Sequence, residues 1–159
     1  LLAGINWLGG LSLGRLAHKR PLLTALVLPY MSKGASIIHV CSIAAFVPNR
    51  RLTVYSSTKA YVFSFSTALR GELKKRGIHV LAVCPGPMAT EFLPVAGIEN
   101  GASATFDRLP YCNPAKVAAT ALKKAEKGQA VYTPRGFYKL YRVLAKILPH
   151  NWLMEISKA

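Results

Sequence analysis

Acidic residues are scarce in this sequence. Six Asp and Glu stand against 21 Lys and Arg in 159 residues, so the formal net charge is +15. A charge of this size favours an anionic partner, such as nucleic acid, an anionic membrane or an acidic ligand, but it indicates no fold. The sequence has no motif in which basic and aromatic residues alternate, and we therefore expect no binding to nucleic acid.

Cysteine and long apolar runs are scarce too. The 3 cysteines, Cys41, Cys84 and Cys112, form neither an even disulfide framework nor a cluster with zinc spacing, which predicts a reducing compartment and no metal site. The apolar stretch 1–14 is shorter than the roughly 20 residues that span a bilayer, and no basic leader precedes it. We expect a cytoplasmic protein, with membrane contact only at its periphery.

The composition is that of a folded domain, with 52% apolar and 17% charged residues. Three continuous apolar segments have the character of buried strands, at 36–41, 78–84 and 129–133. Helical patterns alternate with them, at 22–31, 54–76 and 114–127. This alternation predicts an α/β fold, a doubly wound parallel sheet of about three strands, with functional residues at the carboxyl ends of the strands.

Polar residues follow the first two strands. Ser42 ends the first strand, and Tyr55 and Lys59 lie four residues apart on one face of the next helix. An ammonium beside a phenol lowers the pKa of the phenol from about 10, so that Tyr55 becomes a usable general acid. Ser42 can donate a hydrogen bond to an oxygen on which charge develops. A hydrolase triad is not expected, because there is no Gly-x-Ser-x-Gly elbow and Asp107 is the only Asp.

The Tyr-x-x-x-Lys spacing alone is weak evidence of function, because it occurs often by chance. The joint arrangement of three motifs is stronger evidence. Ser42 at a strand end, the pair Tyr55 and Lys59, and the Pro-Gly-x-x-x-Thr segment after the second strand together resemble the short-chain dehydrogenase/reductase family. The resemblance implies an NAD(P)-dependent oxidoreductase, with NAD or NADP as cofactor, that interconverts an alcohol and a carbonyl. It implies that Tyr55 exchanges the proton, Lys59 holds the nicotinamide ribose and Ser42 positions the substrate oxygen.

The resemblance also implies that three residues of the segment after the second strand pack against the nicotinamide, namely Pro85, Gly86 and Thr90. The Gly-rich turn and the Asn-Asn-Ala-Gly strand end with which the family begins have no counterpart here. We therefore expect 22–134 to be the catalytic half of a Rossmann-like domain, after an unassigned leader at 1–21. The dinucleotide-binding half is expected to be missing.

The region 135–159 is expected to hold a basic amphipathic helix and a tail. Its basic residues, Arg135, Lys139, Arg142 and Lys146, recur at helical spacing opposite an apolar arc. The pattern favours a helix over 135–148 that docks on the sheet or on a second subunit of a homo-oligomer. Weak contact with an anionic membrane is the second interpretation.

The segment between the second strand and the next helix, 91–112, has few charges and suggests an apolar lid. Its apolar residues are Phe92, Leu93, Val95, Phe106, Leu109 and Tyr111, and Phe46 and Val47 lie in a neighbouring loop. This composition predicts a small apolar carbonyl or alcohol as substrate. The alternative is a noncatalytic fragment that acts as an interaction or membrane-surface module through its basic helix.

Overall fold

The computed structural model describes residues 19, 21–50, 52–88, 90 and 109–156. Its centre is one parallel sheet with strand order β1-β2-β3, formed by Ser36–Val40, His79–Val83 and Val131–Tyr132. Strand β1 pairs with β2 from Ser36 opposite His79 to Val40 opposite Val83. The predicted α/β fold with a doubly wound parallel sheet is confirmed.

Five helices surround the sheet in the described part of the chain. They are α1 at 21–27, α2 at Thr53–Leu73, α3 at Pro114–Glu126, α4 at Gly136–Ile147 and α5 at His150–Ile156. Short 3-10 turns lie at Leu28–Tyr30, Ile43–Ala45 and Lys74–Arg76. Within the described residues, none of the helices is both long and apolar enough to cross a membrane.

The central strand β2 is buried on both faces, which explains its continuous apolar sequence. Val80 and Ala82 pack with residues of α2, while Leu81 and Val83 pack with residues of α3. Leu81 has 0% of its surface exposed. A strand enclosed in this way has no solvent face, so the alternation of polar and apolar residues that marks half-buried strands is absent.

Helix α2 ends where local chemistry predicts. The 3-10 turn Lys74–Arg76 continues it, and Gly77 follows with a φ of 66°, a left-handed conformation that glycine adopts without a Cβ penalty. The chain then turns directly into β2. This cap brings α2 back over the sheet, with its first turns at the carboxyl end of β1.

The first turn of α3 is held by a side-chain cap. Asn113 Oδ1 accepts a hydrogen bond of 3.0 Å from the backbone N–H of Lys116, and Pro114 occupies the first helical position. We expect Asn113→Ala to lower the free energy of unfolding by about 1 kcal/mol, because one helix N–H loses its partner. Urea denaturation measures this loss. Asn113→Asp keeps the acceptor and serves as the control; an equal loss in both variants would contradict the capping role.

The C-terminal region contains two helices where the sequence predicts one helix and a tail. Helix α4 lies within the predicted 135–148, and α5 begins at His150 directly after Pro149. The backbone N–H of Trp152 donates to the carbonyl oxygen of Pro149 over 3.1 Å. Leu153 of α5 is 4% exposed and belongs to the core cluster that contains Cys41 and Ala82. The tail is therefore packed against the sheet layer.

Candidate active site

The loop that follows β1 is joined to the loop that follows β2. Ser42 is 8% exposed, and its Oγ accepts a hydrogen bond of 3.2 Å from the backbone N–H of Ala44. The backbone N–H of Ile43 donates to the carbonyl oxygen of Pro85 over 3.0 Å. Ser42 and the Pro85–Gly86 turn therefore lie at the same edge of the sheet.

Tyr55 and Lys59 occupy the first two turns of α2, and both are half-buried. The Nζ of Lys59 lies 5.5 Å from the centroid of the Tyr55 ring. The same Nζ donates a hydrogen bond of 3.2 Å to the carbonyl oxygen of Val40, the last residue of β1. The ammonium is thus held between the phenol and the strand end that leads to Ser42.

The Pro85–Gly86 turn is supported from behind by α4. Gly86 is buried and lies so close to Tyr138 that a Cβ at this position would overlap the phenol ring. Tyr138 is 0% exposed, and its hydroxyl donates to the carbonyl oxygen of Pro110 over 2.8 Å. Burial raises the pKa of Tyr138 above its usual range, so the phenol stays a neutral hydrogen-bond donor.

The segment after the Pro85–Gly86 turn is held by a second set of backbone contacts. Met88 forms a parallel bridge with Cys112, whose backbone N–H donates to the carbonyl oxygen of Pro87 over 2.8 Å. Thr90, the last residue of the predicted Pro-Gly-x-x-x-Thr segment, is exposed. The predicted lid residues between 91 and 108 lie outside the described residues. Leu109 and Tyr111, which follow them, are half-buried.

Phe46 and Val47 do not have the solvent-facing position that a substrate lining requires. Phe46 is 9% exposed and Val47 3% exposed, and both belong to the core cluster around Cys41. The ring of Phe46 meets that of Phe63 edge-on, with centroids 5.4 Å apart. The loop that follows the 3-10 turn therefore packs inward against α2.

Two cysteines lie together at the same edge of the sheet, a contact that the sequence does not predict. Cys41 and Cys84 follow the paired ends of β1 and β2, and both are almost completely buried. The pKa of the Cys84 thiol is raised far above its usual range, first by a hydrogen bond with Cys41 and then by burial. A protonated, buried thiol is a poor nucleophile and metal ligand. In the described part of the chain, no group of three or more His, Cys, Asp or Glu side chains could hold a metal ion.

Two further residues of α4, Tyr141 and Arg142, pack near the carboxyl ends of the strands. Arg142 Nη1 donates to Thr133 Oγ1 over 3.2 Å, and its charge lowers the pKa of Cys84, against the larger opposing effects. Burial raises the pKa of Tyr141 to about 12. A sequence pattern could reveal these residues only as part of an amphipathic helix, because their partners lie on other elements.

Comparison with known proteins finds a family that matches part of the chain. Residues 21–98 match the family model described as short chain dehydrogenase. Oxidoreductase YhxC of Bacillus subtilis is 43% identical over 74 residues, which are 46% of this chain and 26% of that protein. NADPH-dependent aldehyde reductase 1, a chloroplastic protein of Arabidopsis thaliana, is 36% identical over 74 residues, 46% of this chain and 26% of its own length.

A solved short-chain dehydrogenase from Sphingobium yanoikuyae, in complex with NADPH, superposes with a TM-score of 0.57 and 26% identity. The superposition covers 75% of this chain and 44% of that one. The chain spans about a quarter of the length of the curated relatives it matches. Residues 21–98, together with the parallel sheet and its solved structural neighbour, therefore identify this part of the chain as a short-chain dehydrogenase/reductase fragment.

Proposed function

We propose that the protein is an NAD(P)-dependent oxidoreductase that interconverts an alcohol and a carbonyl, with Tyr55 as the proton donor and acceptor. One observation carries the proposal: the Lys59 ammonium is fixed by Val40 at the strand end, 5.5 Å from the Tyr55 ring. A cation in this position favours the phenolate over the phenol and so eases proton transfer from Tyr55.

The donor set at this edge fits the nicotinamide end of a dinucleotide. An ammonium donates up to three hydrogen bonds, so Lys59 can hold ribose hydroxyls while it is anchored to Val40. The buried Pro85–Gly86 turn, with Tyr138 behind it, is a firm backbone surface against which a flat ring can pack. Thr90 is a further cofactor contact in this proposal. Once bound, NAD or NADP supplies the hydride chemistry.

Ser42 is proposed to orient the substrate. Its Oγ accepts from the Ala44 N–H, and among the described residues its own proton has no assigned acceptor. That proton is therefore suited to the oxygen of a carbonyl or alcohol. In the reducing direction, Tyr55 Oη would donate its proton to the carbonyl oxygen; in the oxidising direction, Tyr55 would take the proton back from the alcohol.

Apolar carbonyls and alcohols are the proposed substrates. The support is the sequence of 91–112, in which apolar residues outnumber charges, and the carbonyl substrate named for the aldehyde reductase of Arabidopsis thaliana. A homo-oligomer stays a prediction, and light scattering on the purified protein measures it.

A cofactor and substrate panel tests the proposed function. The purified protein is mixed with NADH or NADPH, and nicotinamide absorbance is followed with aliphatic ketones, aromatic ketones and aldehydes, and with polyols in the oxidising direction. We expect turnover of apolar carbonyls above that of polyols. Polyols that outperform ketones would contradict the substrate class, and a folded protein that binds cofactor but turns over no carbonyl or alcohol would contradict the reaction.

A further inference from the structure

Helix α4 leaves a row of large apolar side chains in solvent. One side of the helix is docked, with Tyr138 and Ala145 buried in two different core clusters. Another side carries four exposed apolar residues, spaced by three, three and four positions along one face. This α4 stripe consists of Phe137 (56% exposed), Leu140 (58%), Val143 (49%) and Ile147 (73%).

The next helix, α5, also exposes an aromatic side chain. Trp152 of α5 is 65% exposed. Contiguous exposed apolar side chains on a folded protein mark surfaces that meet a partner or a membrane. The apolar residues of α4 therefore fall into two groups. One group packs into the core, and the other is exposed to solvent.

Basic residues border the stripe, and no acidic residue lies near them in the sequence. Arg135, Lys139 and Lys146 are exposed on the face between the docked side and the stripe. No acidic residue occurs between Glu126 and Glu155. Glu155 itself is engaged by Arg50, with 2.6 Å between its Oε1 and the guanidinium Nη2. In the described part of the chain these three basic side chains form no ion pair, so this face of α4 combines apolar side chains with positive charge.

We propose that the α4 stripe, Trp152 and the bordering basic residues form a docking surface for an anionic lipid bilayer. A helix that lies in the plane of a membrane puts its apolar side chains at the boundary of the acyl chains and its Lys and Arg among the phosphates. Trp is enriched at the same depth. At 12 residues, α4 is about 18 Å long, which suits lying on the bilayer rather than crossing it.

Charge complementarity favours lipid over a second copy of the chain. Each copy carries a formal charge of +15, so two copies that met through this face would bring their exposed lysines together. An anionic leaflet attracts the same lysines and offers an apolar layer for the stripe. The surface lies on α4 and α5, outside Ser42, Tyr55 and Lys59, so the proposal stands apart from the proposed reaction.

Vesicle sedimentation tests the surface. The purified protein is mixed with vesicles of phosphatidylcholine and phosphatidylserine, or of phosphatidylcholine alone, at low and high salt. We expect binding to the anionic vesicles that weakens with salt. Replacing both lysines, Lys139→Ala with Lys146→Ala, should lower the partition coefficient roughly 10- to 30-fold, because each surface cation contributes to attraction by the anionic leaflet.

Leu140→Glu tests the apolar part against a matched control. Leu122 of α3 is 59% exposed, almost the same as Leu140 at 58%, so Leu122→Glu makes an identical charge change away from the stripe. We expect Leu140→Glu to abolish sedimentation with anionic vesicles and Leu122→Glu to retain most of it. The thermal midpoints should match, since both side chains are exposed.

Three results would overturn the proposal. The first is no salt-sensitive binding of the wild type to anionic vesicles. The second is an equal loss of binding in the Leu140→Glu and Leu122→Glu variants. The third is self-association, or binding to an acidic polypeptide such as polyglutamate, that depends on Leu140 while vesicle binding does not; this result would assign the stripe to a protein partner.

Discussion

Tyr55→Phe is expected to lower the turnover number for carbonyl reduction roughly 10²- to 10⁴-fold, the usual contribution of a positioned general acid. The variant loses only the hydroxyl, and the ring keeps its place over the Lys59 ammonium, 5.5 Å from the ring centroid. The dissociation constant for NADPH or NADH should therefore stay near that of the wild type. Steady-state kinetics and a fluorescence titration with the cofactor measure the two quantities on the same protein.

Tyr61→Phe is the matched control on the same helix. Tyr61 is 43% exposed and stacks on Phe65 with ring centroids 6.5 Å apart, on a later turn of α2. It loses the same hydroxyl from the same residue type, and its turnover number should remain close to the wild-type value. A Tyr55→Phe variant that retains near-wild-type turnover, or a Tyr61→Phe variant that is equally impaired, would remove Tyr55 from the mechanism.

The parts of the fold that the sequence could predict depend on short-range chemistry. Gly77 ends α2 because its backbone adopts a left-handed conformation, and Asn113 caps α3 with its own side chain. The strand β2 could be recognised because burial on both faces selects an unbroken apolar segment. Each of these signals lies within a few residues of the feature it predicts.

The position of the candidate site could be predicted from the parallel arrangement of the strands. Parallel strands bring their carboxyl ends to one edge, so residues that follow β1 and β2 must lie near each other, as the bond between Ile43 and Pro85 illustrates. The bond from Lys59 to Val40 could not be predicted, because it joins a side chain to a carbonyl oxygen on another element. The roles of Ser42, Tyr55 and Lys59 in catalysis stay predictions.

The apolar arc of α4 shows that helical periodicity in the sequence does not predict which apolar side chains are buried. A helical pattern identifies apolar positions, but it does not say how wide the docked surface is. Tyr138 and Ala145 are buried while Leu140 and Ile147 are exposed, although all four lie on the same short helix. The sequence likewise does not predict the burial of Phe46, because its partner Phe63 lies on another element.

Tyr138→Ala is expected to lower the free energy of unfolding by about 3–5 kcal/mol, as for other fully buried aromatic side chains truncated to Ala. Tyr138 is 0% exposed and packs in the cluster with Leu81, Val83 and Cys112, so its removal leaves a cavity between α4 and the sheet. Urea denaturation measures the change. Leu140→Ala is the control on the same helix, because its side chain is 58% exposed and its loss should change stability by less than about 0.5 kcal/mol.

A double-mutant cycle with Gly86 separates this packing from a general effect of truncation. Gly86→Ala adds a Cβ that would overlap the Tyr138 ring, and overpacking of a tight contact costs about 1–3 kcal/mol. In the Tyr138→Ala background the ring is gone, so the added methyl group has room and its cost should largely disappear. The two changes are then non-additive by roughly the cost of Gly86→Ala alone. Additive losses would show that Tyr138 does not support the Pro85–Gly86 turn, and that α4 stabilises the domain without shaping the edge at which Ser42 and Lys59 lie.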